Sequence, residues 1–261
     1  MKMESTISVS AWNIPPSTVR LDGDEVHVWR AELEESSAQI GGYLETLAEE
    51  EKTRAARFYF QRDRERFIIS HGILRAILGL YLNRAPNTLS FRYGSHGKPA
   101  LEFDSVTNTI HFNLSHSHGV ALYAIARRRA VGIDVELIRR DVEIDQIADR
   151  FFSRGEIATL RTLPSDLREY AFFLCWTRKE AYIKCRGEGL SLPLDQFDVS
   201  LIPGEPAALL STRPDPDEAS RWSLRELALT ADYAAALAVH GRGWSLSCWQ
   251  WPRLQAYQPG S

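Results

Sequence analysis

Residues 176–190 read WTRKEAYIKCRGEGL. Most of them lie inside a helical pattern that opens near Ser165 and runs to about Cys185. Glu180 and Lys184 are four residues apart, so they stack on one face of that helix, with Trp176 one turn before them. An acid, a base and an aromatic share one stripe. The plainest account is a surface ion pair above a buried tryptophan, because such pairs are common and individually weak. Other parts of the chain give this stripe more meaning.

The first is VGIDVE, Val131 to Glu136. On a strand, residues two apart share a face, so Gly132, Asp134 and Glu136 point one way and Val131, Ile133 and Val135 the other. Two carboxylates side by side repel at a cost to the sheet, and something cationic should compensate. A nearby Lys or Arg at a strand edge meets that need. So does a hard divalent metal, since carboxylate oxygens suit magnesium. Glu180 would add a third oxygen ligand if the long helix packs beside this strand.

Composition sets bounds. The 261 residues suffice for one large domain or two ordinary ones. Hydrophobic residues make up 44% and charged residues 25%, as in water-soluble globular proteins. A net charge of -3 implies no general attraction to nucleic acid, so any anion site must be built locally. Cys175, Cys185 and Cys248 form no CxxC pair, which suits a reducing compartment. MKMESTISVSAWNIPP has no apolar core of signal-peptide length, and the longest strongly apolar run, Ala171 to Trp176, is too short for a bilayer. A cytoplasmic protein without membrane or nucleic-acid partners is expected.

Taken in order, residues 1–20 form a loose arm, with Pro15-Pro16 arguing against helix. Glu25 to Arg30 alternates as a strand. Thr46 to Glu49 fits a capping box, predicting a helix to about Phe60, and a second helix spans roughly Asp63 to Leu82. Strands follow around Leu89 to Tyr93, Ile110 to Leu114 and Val120 to Ala126. Then the order repeats. Val131 to Val135 is a strand. A helical region over Val142 to Leu163 is broken at Ser153, where a second capping box sits. The long helix follows, with strands at Phe197 to Leu201, Trp222 to Leu227 and Tyr233 to Val239. Thr212 to Ser220 has the composition of an exposed loop. Both halves therefore run strand, helix, helix, strand, strand, strand, with a period of about 105 residues. An α+β fold made of two similar halves, 20–129 and 130–250, is expected. Ligands favour the cleft that such a duplication creates.

Two further clusters carry polar chemistry. FNLSHSHG, Phe112 to Gly119, gathers Ser115, His116, Ser117 and His118 at a strand end, where hydroxyl and imidazole groups can bind phosphate oxygens. A Ser-His nucleophile pair is disfavoured, since adjacent strand residues face opposite ways and no G-x-S-x-G elbow surrounds either serine. GSHGKPAL, Gly94 to Leu101, places Lys98 and Pro99 in a glycine-rich turn that could approach a phosphate but is no P-loop. In isolation, a turn stabilised by its own side chains is the alternative for the first piece, and a plain hairpin turn is the better account of the second.

Together these pieces resemble the 4′-phosphopantetheinyl transferases of the larger, surfactin-synthetase-activating type. The resemblance rests on GKP (Gly97 to Pro99), FNLSHS (Phe112 to Ser117), GIDVE (Gly132 to Glu136) and WTRKEAYIK (Trp176 to Lys184), in that order, with RAARFYFQRDRERF (Arg54 to Phe67) upstream. It covers roughly residues 45 to 205. It implies a pseudo-dimer of two α+β halves with coenzyme A in the cleft between them. The implied reaction moves the phosphopantetheine arm of coenzyme A onto a serine of an apo acyl or peptidyl carrier protein and releases adenosine 3′,5′-bisphosphate. By the same resemblance Asp134, Glu136 and Glu180 hold magnesium, and Lys184 binds the phosphate being transferred. Glu180 also helps take the serine proton, directly or through water. Lys98, Pro99, Ser115 and His116 line the nucleotide end, with Arg54 and Arg66 as further phosphate contacts. Some relatives carry Lys where Arg54 stands, and the two are not equivalent ligands. The duplicated reading puts both halves of the cleft in one chain, so a monomer is expected. Two rivals stay in view: an inactive coenzyme A- or carrier-binding module, and a magnesium-dependent nucleotide hydrolase.

Overall fold

The structure is a computed structural model that describes residues 12–94, 97–102, 110–187 and 189–252. Ser95 and His96 of the glycine-rich turn, and most of the N-terminal arm, lie outside the described residues. The chain divides into two units: residues 12–129 with the C-terminal segment from 243, and residues 130–242.

The N-terminal unit runs β1 (Glu25–Glu32), α1 (Ser37–Thr46), α2 (Glu49–Ala56), α3 (Gln61–Leu82), a ribbon of β2 (Phe91–Tyr93) and β3 (Pro99–Leu101), then β4 (Ile110–Ser117) and β5 (Val120–Arg127). The C-terminal unit runs β6 (Val131–Leu137), α4 (Ile144–Phe151), α5 (Arg154–Thr162), α6 (Ser165–Arg186), a ribbon of β7 (Phe197–Val199) and β8 (Leu209–Thr212), then β9 (Trp222–Glu226) and β10 (Tyr233–His240). A last strand, β11 (Ser245–Gln250), returns to the N-terminal unit and pairs parallel with β1. The sheets are ordered β11-β1-β5-β4 and β6-β10-β9. In both, the unit's first strand pairs antiparallel with its last, and the strand before the last takes the far side. The fold is α+β, and one order of elements serves both units. Beyond the expected elements, the N-terminal unit has a further helix, α1, and each unit has a second short strand, β3 or β8, that makes the expected strand at Phe91 or Phe197 half of a ribbon.

The differences have local causes. Thr46 ends α1 instead of opening a helix; its hydroxyl donates to the Tyr43 carbonyl. Helix α2 starts two residues later, where Glu51 accepts from the Ala48 N–H, half of a capping box because alanine has no oxygen to complete it. Three consecutive glutamates, Glu49 to Glu51, blur that register in the sequence. Helix α1 went unread although Ser36 and Gln39 form a complete capping box, because Gly41-Gly42 weakens its pattern. The long helices end as expected: Asn83 turns left-handed at φ 50° after α3, and Gly187 at φ 75° after α6.

Each unit buries a carboxylate–cation pair in a matching place. Glu51 at the start of α2 pairs with Arg75 of α3 at 2.6 Å, and Arg75 donates onward to the Pro86 and Leu89 carbonyls. Glu156 at the start of α5 pairs with Lys179 of α6 at 2.8 Å, and Lys179 donates to the Leu194 and Phe197 carbonyls. All four side chains are buried. Each clamp ties a helix cap, a long helix and the chain entering the ribbon.

Burial acts to raise the pKa of Glu51, but bonds from His71, the Ala48 N–H and Arg75 outweigh it and hold the carboxyl below its usual value. A depressed carboxyl contributes stability above its unfolded pKa, and that contribution is lost as pH falls through the folded value. Glu51→Gln should therefore cost about 3–5 kcal/mol at neutral pH, as expected for breaking a buried pair. In urea unfolding that penalty should shrink below about pH 4, near the ordinary carboxyl range. An equal penalty at both pH values would mean that the charge of Glu51 contributes nothing.

Candidate active site

Helix α6 lies directly on β6, and Gly132 is the reason. A Cβ there would fall 2.1 Å from the Ala181 carbonyl oxygen and 2.3 Å from the Cys185 nitrogen. Both are helix backbone, so only glycine admits so close an approach. Asp134 is two residues along the same face and is 2% exposed. Its Oδ1 accepts from the Lys184 ammonium at 2.5 Å. The cation that the acidic strand face requires is thus supplied by the helix.

Glu180 stands half-buried one turn before Lys184. Burial raises its pKa, the Asp134 charge raises it further, and Lys184 opposes them without prevailing. For Lys184, burial acts to lower the pKa; Asp134, Glu180 and Glu136 outweigh it and hold the ammonium above its usual value. Three carboxylates therefore act on one cation. All their donors are hard oxygens, which fits magnesium in ligand chemistry. Among the described residues no group of three or more His, Cys, Asp or Glu side chains is arranged to enclose a metal ion; the Lys184 ammonium stands among these acids instead.

Arg178 and Lys179, in the middle of the same motif, have another task. Both are fully buried. Arg178 pairs with Glu226 at 2.6 Å and donates to the Ser200 carbonyl. Trp176 is half-buried and stacks on Phe172. A pair of cations just beyond the apolar run Ala171 to Trp176 is the available sequence signal for a buried clamp.

The remaining candidates all belong to the N-terminal unit. Arg54, in the last turn of α2, is exposed with its guanidinium 5.4 Å from the centre of the Phe67 ring. Arg66 of α3 is half-buried and lines a cavity of about 550 Å³ with Arg62, Glu65, Ser36 and Gln39. Lys98 is half-buried in the β2–β3 turn, where its carbonyl accepts from the Gly94 N–H, and Pro99 begins β3 opposite Tyr93. Gly97 takes φ 75° there, a conformation that suits glycine. On β4, Ser115 is buried and His116 exposed, as strand alternation requires.

The Gly132 contact gives a direct test. Gly132→Ala should lower unfolding free energy by about 1–3 kcal/mol, the usual cost of overpacking. Gly155→Ala, with its nearest neighbour at 3.8 Å, should be near neutral. Equal stability of the two variants in denaturant titration would show that α6 does not rest on β6 as described.

Comparison with known proteins agrees along the chain. Residues 130–238 match the model described as "4'-phosphopantetheinyl transferase superfamily", and residues 29–127 match "4'-phosphopantetheinyl transferase, N-terminal". The 4'-phosphopantetheinyl transferase HetI of Nostoc sp. is 40% identical over 240 residues, 92% of this chain and 98% of that protein. The 4'-phosphopantetheinyl transferase gsp of Aneurinibacillus migulanus is 34% identical, covering 62% of this chain and 66% of its own. Sfp of Bacillus subtilis is 30% identical, covering 61% and 68% respectively. With similarity through both units and nearly the whole of HetI, this chain belongs to the 4′-phosphopantetheinyl transferase superfamily.

Proposed function

We propose that this transferase moves the 4′-phosphopantetheine group of coenzyme A onto a serine of an apo acyl or peptidyl carrier protein. The observation that carries the reading is the Lys184 ammonium held beside Asp134 and among Glu136 and Glu180, in a chain of this family. The serine oxygen forms a new bond to the phosphorus bearing the pantetheine arm. The pyrophosphate bond breaks, and adenosine 3′,5′-bisphosphate leaves with the bridging oxygen. Such a transfer needs charge neutralisation and alignment more than covalent help.

Lys184 supplies a fixed positive charge for the phosphate being transferred. Glu180, one turn before Lys184 on the same helix, takes the serine proton directly or through water, as a carboxylate general base. Asp134, Glu136 and Glu180 would hold magnesium, which when bound neutralises charge on the pyrophosphate. Lys98, Pro99, Ser115 and His116 would serve the nucleotide end, with Arg54 and Arg66 as further phosphate contacts.

Incubation with coenzyme A and candidate apo carriers, followed by mass spectrometry, tests the reading. One phosphopantetheine arm per carrier is expected, with a magnesium requirement. Asp134→Ala and Glu180→Gln should nearly abolish transfer while circular dichroism stays native. Full activity of both variants at limiting magnesium would remove the metal assignment. Binding without any transfer by the wild type would favour the inactive module.

The 3′-phosphate gives a second expectation. Charge-assisted bonds contribute roughly 1.5–3 kcal/mol each. Dephospho-coenzyme A should thus bind the wild type at least about tenfold more weakly than coenzyme A, one decade corresponding to about 1.4 kcal/mol. In Lys98→Ala/His116→Ala that preference should shrink. An undiminished preference by calorimetry would move recognition of this phosphate to Arg54 and Arg66.

A further inference from the structure

The turn between α2 and α3 exposes three consecutive aromatics: Phe58 is 39%, Tyr59 92% and Phe60 63% exposed. No other run of adjacent large hydrophobics is exposed among the described residues. The turn is held firmly. The Phe58 N–H donates to the Ala55 carbonyl, and the Phe60 carbonyl accepts from Asp63 and Arg64. The Phe58 ring packs on Phe67, and Tyr59 meets Phe60 edge-on. A rigid, solvated aromatic tip of this kind is an uncompensated cost unless a partner covers it.

Charge says what partner. Residues 54–66 carry five arginines against Asp63 and Glu65, a net of +3, so the remainder of this -3 chain carries -6. Arg57, Arg62 and Arg64 are exposed and make no ion pair among the described residues. A local basic spot on an otherwise acidic protein attracts a compact acidic surface. It does not suit an extended polyanion or an anionic membrane, whose wider field the rest of the chain repels.

We propose that the Phe58–Tyr59–Phe60 turn, with Arg57 and Arg64, is a docking surface for an acidic protein surface bearing an apolar spot. Resting on the transferase reading, that surface belongs to the carrier protein. Exposed aromatics and arginines are the residue types that dominate interface energetics.

The test separates docking from chemistry. An apo carrier domain with its acceptor serine changed to alanine is titrated by fluorescence anisotropy at low and high salt. Tyr59→Ser/Phe60→Ser and Arg57→Glu/Arg64→Glu should each weaken binding by roughly fivefold or more, and the charge reversal should flatten the salt dependence. With a reactive carrier, KM for the carrier should rise while kcat and KM for coenzyme A hold. Wild-type-like carrier affinity in both variants overturns the inference, as does a change confined to the coenzyme A KM. Patch-dependent binding to phosphatidylglycerol vesicles with no carrier binding also overturns it, in favour of a membrane surface. A wild type that binds the carrier through this turn but transfers nothing leaves the docking inference standing and removes the proposed function. Transfer unaffected by the variants does the reverse.

Discussion

The close seating of α6 on β6 is the constraint from which the candidate site follows. Because Gly132 has no side chain, the backbone of Ala181 and Cys185 reaches the strand itself. Asp134, on the same face, is then almost wholly removed from water. A carboxylate so buried is costly unless a cation meets it, and Lys184 does so from the helix that caused the burial. The same desolvation reaches Glu180 and raises its pKa. The close packing that one glycine permits thus brings a buried carboxylate, an ammonium and a half-buried glutamate together.

Seating of that kind requires that the helix be unable to slide. The buried clamps provide this. The Lys179 ammonium has three donors, and Glu156, Leu194 and Phe197 take all three. Arg178 adds Glu226 and Ser200. Such pairs add little net stability over a well-packed apolar core, but they allow only one arrangement of the groups that satisfy them. The N-terminal unit uses the same device with arginine. There Nε and one terminal nitrogen of Arg75 meet Glu51, and the other terminal nitrogen meets two carbonyls. A repeated clamp joins a helix cap to a ribbon in both units, whatever chemistry each unit bears.

Much of this was legible from local pattern. Asn83 and Pro86 announce the end of the first long helix, Ser153 and Glu156 announce a helix start, and the paired acids of GIDVE demand a cation. Sequence spacing also placed Glu180 and Lys184 on one stripe. What escaped reading depends on partners far apart in the chain. Gly132 looks like any strand glycine until α6 lies on it. Lys179 looks like a motif charge until Glu156 and two carbonyls surround it. Strand β11 has short alternation, with Leu246 and Cys248 on one face, and its partner β1 lies at the other end of the chain. No local window contains both strands.

The geometry of α6 explains how one short motif carries both structural residues and the residues of the candidate site. Successive helix positions turn by about 100°. Ala181 and Cys185 face the strand at Gly132. Glu180 and Lys184 each precede one of these by one position, so both sit at the flank of the contact instead of beneath it. Burial there is partial: Lys184 keeps 30% of its side chain exposed while its ammonium touches a carboxylate that is nearly dry. Lys179 is turned one step further, onto the face of α6 away from β6, and is buried there against Glu156 and the Leu194 and Phe197 carbonyls. A charge fully beneath the helix could not meet a substrate, and one fully outside would lose the electrostatic strength that low dielectric confers. The rim of a helix–strand contact, backed by a clamped helix, supplies access and preorganisation together, which is what transfer of a charged group requires.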